Sequence, residues 1–360
     1  MIELHLPMFH EIMRKKGVHS MQNVKKLLKW TSVVMLSILV LLVLINAFDE
    51  KVAPEVEQLV SAPLATVPQS ENAYFALFGF QAPSGEDMHV RGVEMVAVYE
   101  KAIQADPNSQ AIPSPDTMLG EKRLQFVGND KDLCRSSLDT NHCVAYYIGR
   151  SADTTRILAD NKLMLDRYLQ LTGYPHFQEI LPPVVATPMV HISPMRTAHQ
   201  LLLAKIAMYV KNGATSGALA MIRRDTVFQR RIAAESTTMI GKLSAFSLLS
   251  ADMRALSEII SMQKLTPADI AVANNILQPL TDQERRLARA FQFEARYNRN
   301  LLSLIAREGN ALILEMPSDS ARSRETDFMS RLDQQLDRLF YKLFFRPMQR
   351  STSPAGPSLT

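Results

Sequence analysis

Ser261-Met-Gln-Lys264 sets a lysine one helical turn from a serine, a spacing at which an amine can take the proton of a nucleophilic hydroxyl. Asp130-Lys-Asp132 spaces two carboxylates for a divalent cation or a metal-bound nucleotide. His176-Phe-Gln-Glu179, His191 and His199 flank a proline-rich stretch and bring imidazole and carboxylate groups for acid-base or metal chemistry. Each pattern lacks its companions. No histidine has a second one four residues away, and H-E-x-x-H, G-x-S-x-G, a Walker loop and G-x-G-x-x-G are all absent. The sequence therefore nominates no catalytic, cofactor-binding or metal-binding residue, and its histidines read as surface or locally hydrogen-bonded groups.

The serine-lysine pair resembles that of penicillin-recognising enzymes, but no K-T-G occurs and Ser70-Glu-Asn72 lies upstream rather than downstream. The Asp130-Lys-Asp132 triplet resembles the metal-nucleotide motif of stalked, membrane-anchored glycosyltransferases. Those are α/β proteins, whereas this chain has only 13 glycines and no alternation of strands with helices. A surface turn accounts for it.

Cys134 and Cys143 enclose eight residues, a loop that a disulfide spans easily, and the pair is expected to close in an oxidising compartment. His142 adds a third metal donor beside them, yet no second closely spaced pair completes a zinc set. Arginine is patterned more suggestively. Arg223, Arg224, Arg230 and Arg231 repeat at seven residues, and a second run includes Arg285, Arg286, Arg289, Arg296, Arg299 and Arg307. Arg223, Arg230, Arg289 and Arg296 are the candidate contacts for an anionic partner, through the bidentate bonds that guanidinium makes to carboxylate or phosphate. The competing expectation is a solvated face balanced by Asp225, Glu235, Glu284, Glu294 and Glu308.

Location is set by Trp30 to Phe48, nineteen residues without a formal charge. At 1.5 Å per residue this is just long enough to cross a hydrocarbon layer of about 30 Å. Arg14, Lys15, Lys16, Lys25, Lys26 and Lys29 precede it, so the N-terminus is expected in the cytoplasm and the rest in the periplasm. The stretch exceeds a secretory h-region, and Ile45-Asn46-Ala47 makes a poor cleavage site, which favours an uncleaved anchor. Met21 is an alternative start that keeps a basic flank. Those six cations and the two acids Glu3 and Glu11 account for the whole +4 excess, so the exported part is near neutral and nucleic acid is not the expected partner.

The organisation expected is a cytoplasmic segment 1–29, a transmembrane helix 30–48, a proline-rich stalk 49–70, a first helical region 71–182 with the disulfide loop, a second helical region 183–347, and a polar tail 348–360. Helices are expected over Glu71 to Phe80, Met88 to Ala105 and Ser151 to Gly173. A short strand is expected at Arg123 to Val127, and Leu181 to Pro194, with four prolines, reads as a domain-crossing loop or half-boundary. Ser193-Pro194 opens a helix closed by Asn212-Gly213. Further helices cover Ala218 to Ala234, Ser236 to Ser250 and Ala251 to Lys264. Thr266-Pro267 opens another, and Thr281 to Glu284 has capping-box spacing at the head of a long one reaching Glu315. A last helix runs Glu325 to Arg346. Leu287, Phe291, Phe293, Tyr297, Leu301, Leu304 and Ile305 are expected to pack a bundle rather than line a ligand channel.

Val96-Ala-Val-Tyr99-Glu-Lys-Ala102-Ile103-Gln-Ala-Asp106-Pro107-Asn108 resembles the second helix of a tetratricopeptide repeat, and Asn72 to Leu77 resembles the first. The segment between them is longer than a standard repeat allows. Tyr209, Gly213 and Ala218 give a second, shorter likeness, which departs at Asp225, where that family has a small residue. The resemblance implies a concave helical surface that binds peptides or proteins. As a whole the chain resembles single-pass envelope proteins of proteobacteria. The fold class expected is mainly α: one N-terminal transmembrane helix followed by an exported α-helical bundle or irregular α-α hairpin array. The function expected is a membrane-tethered, non-enzymatic interaction or assembly module with an envelope protein partner and no cofactor; the alternative is an envelope hydrolase.

Overall fold

Helix starts follow side chains that accept the otherwise unpaired first amides. The computed structural model describes residues 26, 28–41, 67–107, 112–134, 142–189 and 192–308. α1 (Ala73–Phe78) is capped by Asn72, whose carboxamide accepts from Tyr74 N and also exchanges two hydrogen bonds with the Gln178 backbone. α2 (Met88–Ala105) is capped by Asp87 and stops where Asp106 turns extended ahead of Pro107. The two helices cross at Gly79 and Gly92, where each backbone fills the space a Cβ would need. Their long connection is held by Arg167, which donates to the carbonyls of Phe80, Ala82, Pro83 and Glu86. Burial depresses its guanidinium pKa below the ordinary value.

After α3 (Pro115–Leu119) the chain runs extended, and among the described residues it forms no strand. At 123–127, where a strand was expected, side-chain amides take the place of a neighbouring strand. Gln81 pairs with Leu124, and Asn161 both accepts from Val127 N and donates to Val127 O. That same use of Asn161 divides the helix expected from Ser151 to Gly173 into α5 (Ser151–Asp160) and α6 (Lys162–Leu171).

Cys134 and Cys143 form a disulfide, with Cα atoms 5.5 Å apart, that fastens the extended stretch to the start of α4 (Cys143–Gly149). The first amides of α4, Val144 N and Ala145 N, donate to the two carboxylate oxygens of Glu258. Replacing both cysteines with serine is expected to lower unfolding stability by about 2.5–3 kcal/mol, the chain entropy of a loop this size. Urea titration of oxidised wild type against the double variant checks it, and an unchanged midpoint would contradict it.

α7 (Ile192–Lys211) is the central element. Its run from Leu201 to Ala204 is buried on every side, and the helix packs against α4, α5 and α6 as well as α8 (Thr215–Glu235) and α9 (Met239–Met262). Residues 67–301 accordingly belong to one compact unit, and the proline-rich stretch at 182–194 crosses within it. α9 is a single helix where two were expected, because Ser250-Ala251 lies within it. α10 (Pro267–Ile276) has a full Thr266/Asp269 capping box. The Thr281/Glu284 box is also complete, but it heads the single turn α11 (Asp282–Arg285), and the long helix begins only at α12 (Ala288–Glu308).

The protein is mainly helical. Of the expected transmembrane segment 30–48, residues 30–41 are helical with their apolar side chains exposed, and the remainder lies outside the described residues. Among the described residues no helix is long and apolar enough to cross a membrane. The stalk up to residue 66, the helix expected at 325–346 and the tail also lie outside them.

Candidate functional site

A cavity of about 350 Å³ opens between α1, the 177–189 loop and the start of α9. Tyr74, Leu77, Phe177, Leu181, Ile232 and Met195 supply apolar walls, and Phe293 and Tyr297 of α12 close one side. The last two were expected to be bundle packing only; here they line a recess. Its size falls within the range of small-ligand and side-chain pockets.

Two carboxylates reach this cavity. Glu179 is buried and fully engaged: Ser236 Oγ and Thr238 Oγ1 donate to one oxygen at 2.6 and 2.8 Å, and Thr237 N and Oγ1 donate to the other at 2.6 and 3.1 Å. It sits at the N-terminus of α9, where helix amides favour negative charge. Gly241 makes the approach possible, since a Cβ there would lie 2.3 Å from Ser236 Oγ and 2.8 Å from Glu179 Oε1. Glu294 accepts a long bond from Met239 N, the first residue of the same helix. Burial, then the nearby Glu179 charge, push the Tyr74 phenol well above its ordinary pKa, so it stays neutral. Polar groups at this site hold α9 in place, and the accessible surface is apolar.

A second feature lies in the core. His199 of α7, Asp225 of α8 and Asp252 of α9 meet with no exposure to solvent. His199 Nε2 lies 3.0 Å from Asp252 Oδ1 and 3.2 Å from Asp225 Oδ2. One N–H can point at only one oxygen. It is directed at Asp252, which leaves Asp225 Oδ2 without a hydrogen-bond donor. The other Asp225 oxygen accepts from Tyr168 Oη at 2.7 Å and from Gln229 Nε2 at 3.3 Å, and Asp252 Oδ2 faces Thr226 Oγ1 at 3.4 Å. Tyr168 also stands edge-on to the imidazole.

Burial opposes charge on His199, but the two carboxylates outweigh it and lift the imidazolium pKa to about 10. Burial and the adjacent Asp225 raise Asp252 to about 8. Burial also acts to raise Asp225, yet the adjacent His199 imidazolium and the bond from Tyr168 prevail and hold it below the ordinary carboxylate value. In the absence of a metal the trio is therefore an imidazolium, a carboxylate and a carboxylic acid, neutral overall. It does not line the apolar cavity.

The sequence singled out His199 without its partners, and read Asp225 as a departure from the repeat pattern and as one acid of a solvated face, whereas it is fully buried. A usable signal was present. Asp252 has Leu248, Leu249, Ala255 and Leu256 at three- and four-residue spacing, and Asp225 has Met221, Ile222, Phe228 and Gln229, so neither has an ionic partner on its own helix.

The other candidates separate. Ser261 donates to Glu258 O, while Lys264 lies beyond the end of α9, so the serine-lysine pair does not share a helical turn. Asp132 closes a turn onto Asn129 N and pairs with Arg150. His176 faces Glu235 and Glu71; His191 lies outside the described residues.

Of the anionic-partner arginines, Arg230 is already occupied. It grips both oxygens of Glu284, at 2.8 and 3.0 Å, and the carbonyls of Gln278 and Pro279. Its neighbours Arg224 and Arg231 donate to Leu169 O and Tyr174 O around the end of α6. Arg223 and Arg289 are exposed, and burial with nearby Arg299 lowers the pKa of Arg296. Burial acts to raise Glu284, but Arg230 and the Thr281 cap prevail and lower it. The stability this contributes is thus fully present above the ordinary glutamate pKa and is lost as pH falls through the lower folded value. Arg230→Ala is expected to cost about 2–4 kcal/mol at neutral pH, because it strands a largely buried carboxylate. Urea midpoints measured from neutral to acid pH should show the gap between wild type and variant narrowing as Glu284 protonates. No family model, curated protein or solved structure matches this chain, so what it does must be argued from these two sites.

Proposed function

We propose that the chain is a membrane-tethered, non-enzymatic interaction module of the cell envelope, and that its helical unit receives an apolar segment of a partner protein in the cavity beside α9. The observation that carries this reading is the cavity itself: apolar walls from five helices and a loop, with Glu179 committed to an amide and three hydroxyls at the head of α9 and Glu294 bonded at 3.4 Å to Met239 N. A reaction centre needs groups free to exchange protons with substrate, whereas a docking recess needs dry walls and a defined shape. The anchor reading is supported by the exposed apolar surface of residues 28–41 and by Thr31, Ser32 and Ser37, whose hydroxyls bond to carbonyls of their own helix and so present little polarity outward. N-terminus in the cytoplasm and helical unit in the periplasm complete the proposal.

A photo-activated cross-linking amino acid at Ile240, on the cavity rim, tests it in cells. The expected result is one reproducible protein adduct that disappears when Ser244→Trp fills the recess. Adducts to lipid alone, or protein adducts indifferent to Ser244→Trp, would overturn the partner reading.

A further inference from the structure

The buried trio at the junction of α7, α8 and α9 has the arrangement of a ligand set. Each carboxylate turns one oxygen outward to a holding donor, Tyr168 and Gln229 for Asp225 and Thr226 for Asp252, and the other inward to His199 Nε2. This division, one inner oxygen and one outer oxygen fixed by hydrogen bonds, is how monodentate carboxylates are oriented around a metal. The three inner atoms all lie within 4.8 Å of one another, with His199 Nε2 at 3.0 and 3.2 Å from the two oxygens. Bonds of about 2.0–2.1 Å in a tetrahedral site separate neighbouring ligand atoms by about 3.3 Å, so the two His199 edges, at 3.0 and 3.2 Å, already match a small cation.

A second sign is Asp225 Oδ2: it is fully buried and aimed into the cluster, and beyond its 3.2 Å approach to His199 Nε2, whose N–H is directed at Asp252, no assigned hydrogen bond serves it. Charge is conserved on binding: the ion displaces the imidazolium proton and the Asp252 proton, leaving two carboxylates and a neutral imidazole whose two negative charges it cancels.

We propose that His199, Asp225 and Asp252 bind one first-row divalent cation, with zinc the best match, as a buried structural centre tying together three long helices of the core. One imidazole nitrogen and two carboxylate oxygens suit zinc, manganese or iron(II), and do not suit the soft-ligand preference of copper(I). Calcium would want about six to eight oxygens, more than this apolar neighbourhood holds. Because the ligands are sealed from solvent, the ion enters during folding and its binding energy adds to the stability of the fold. The inference is independent of the cavity reading.

The test is refolding of the full-length chain in detergent from urea, once with zinc sulfate and once with chelator, followed by desalting and elemental analysis. One zinc per chain and a higher thermal midpoint in the zinc sample are expected. Cobalt(II) in place of zinc should give visible absorption typical of a four- or five-coordinate nitrogen-oxygen site. Asp252→Asn, which keeps the shape and removes a charge, is expected to bind at least tenfold more weakly. Wild type that retains no metal on refolding overturns the proposal whatever the variant does. So does an Asp252→Asn protein that holds zinc as tightly as wild type, since the ion would then lie elsewhere.

Discussion

Asp225→Ala is expected to destabilise the folded chain by about 3–5 kcal/mol, the range for removing one member of a buried ionic network. The change strands three partners at once: Tyr168 Oη and Gln229 Nε2 lose their shared acceptor, and His199 keeps only Asp252. None of them reaches solvent. A buried donor without an acceptor costs about 1–3 kcal/mol by itself, so the total does not depend on one bond. Chemical denaturation of full-length protein in detergent, followed by far-ultraviolet circular dichroism, measures it. A loss below about 1 kcal/mol would mean that the network contributes little to holding α7, α8 and α9. Tyr168→Phe, which removes one hydroxyl and keeps the ring, should cost about 1–2 kcal/mol.

Gly92→Ala is expected to be comparably damaging for a different reason. An added Cβ would lie 1.7 Å from Phe75 O and 2.6 Å from its carbonyl carbon, and both atoms are backbone. No rotamer change relieves that contact, so α1 must move off α2, and overpacking on this scale costs about 3 kcal/mol or more. Function should fall with stability, because α1 carries Tyr74 and Leu77 into the cavity wall. Gly149→Ala is the matched control. Nothing lies within 4 Å of its Cβ position and its backbone is ordinary helix, so it should be neutral or slightly stabilising. If the two variants unfold at the same urea concentration, the close crossing of α1 and α2 is not present in solution.

Local signals in the sequence carried far. Met88 to Ala105 was readable to the residue, because Asp87 caps one end and Asp106-Pro107 closes the other. The Thr281–Glu284 capping box was visible at three-residue spacing, and Thr266-Pro267 was visible as a helix start. What could not be read depended on partners distant in sequence. Asn161 breaks a helix because it serves Val127, 34 residues earlier, and nothing in its own neighbourhood announces that. The helix after Thr281 stops within one turn, although its cap is complete. Composition could not choose between a domain-crossing loop and a half-boundary at Pro182 to Pro194; the helices before it pack on α7, which follows it. The same limit hid the candidate sites. The cavity takes its walls from residues between Tyr74 and Tyr297, and the metal-like trio combines His199, Asp225 and Asp252 from three separate helices. Periodicity shows that each of those helices has a buried face, but it does not say which buried residues meet.

α9 joins features described separately above. Its first turn receives Glu179 at the cavity, Asp252 in its middle belongs to the polar trio, and Glu258 near its end holds the opening amides of α4 beside the disulfide. From Gly241 to Glu258 is about 25 Å along an unbroken helix. Helix ends open locally more easily than their middles, so the amide proton of Ala255 should exchange with deuterium more slowly than those of Gly241 and Val144, and anything that fills the cavity should slow Gly241 first.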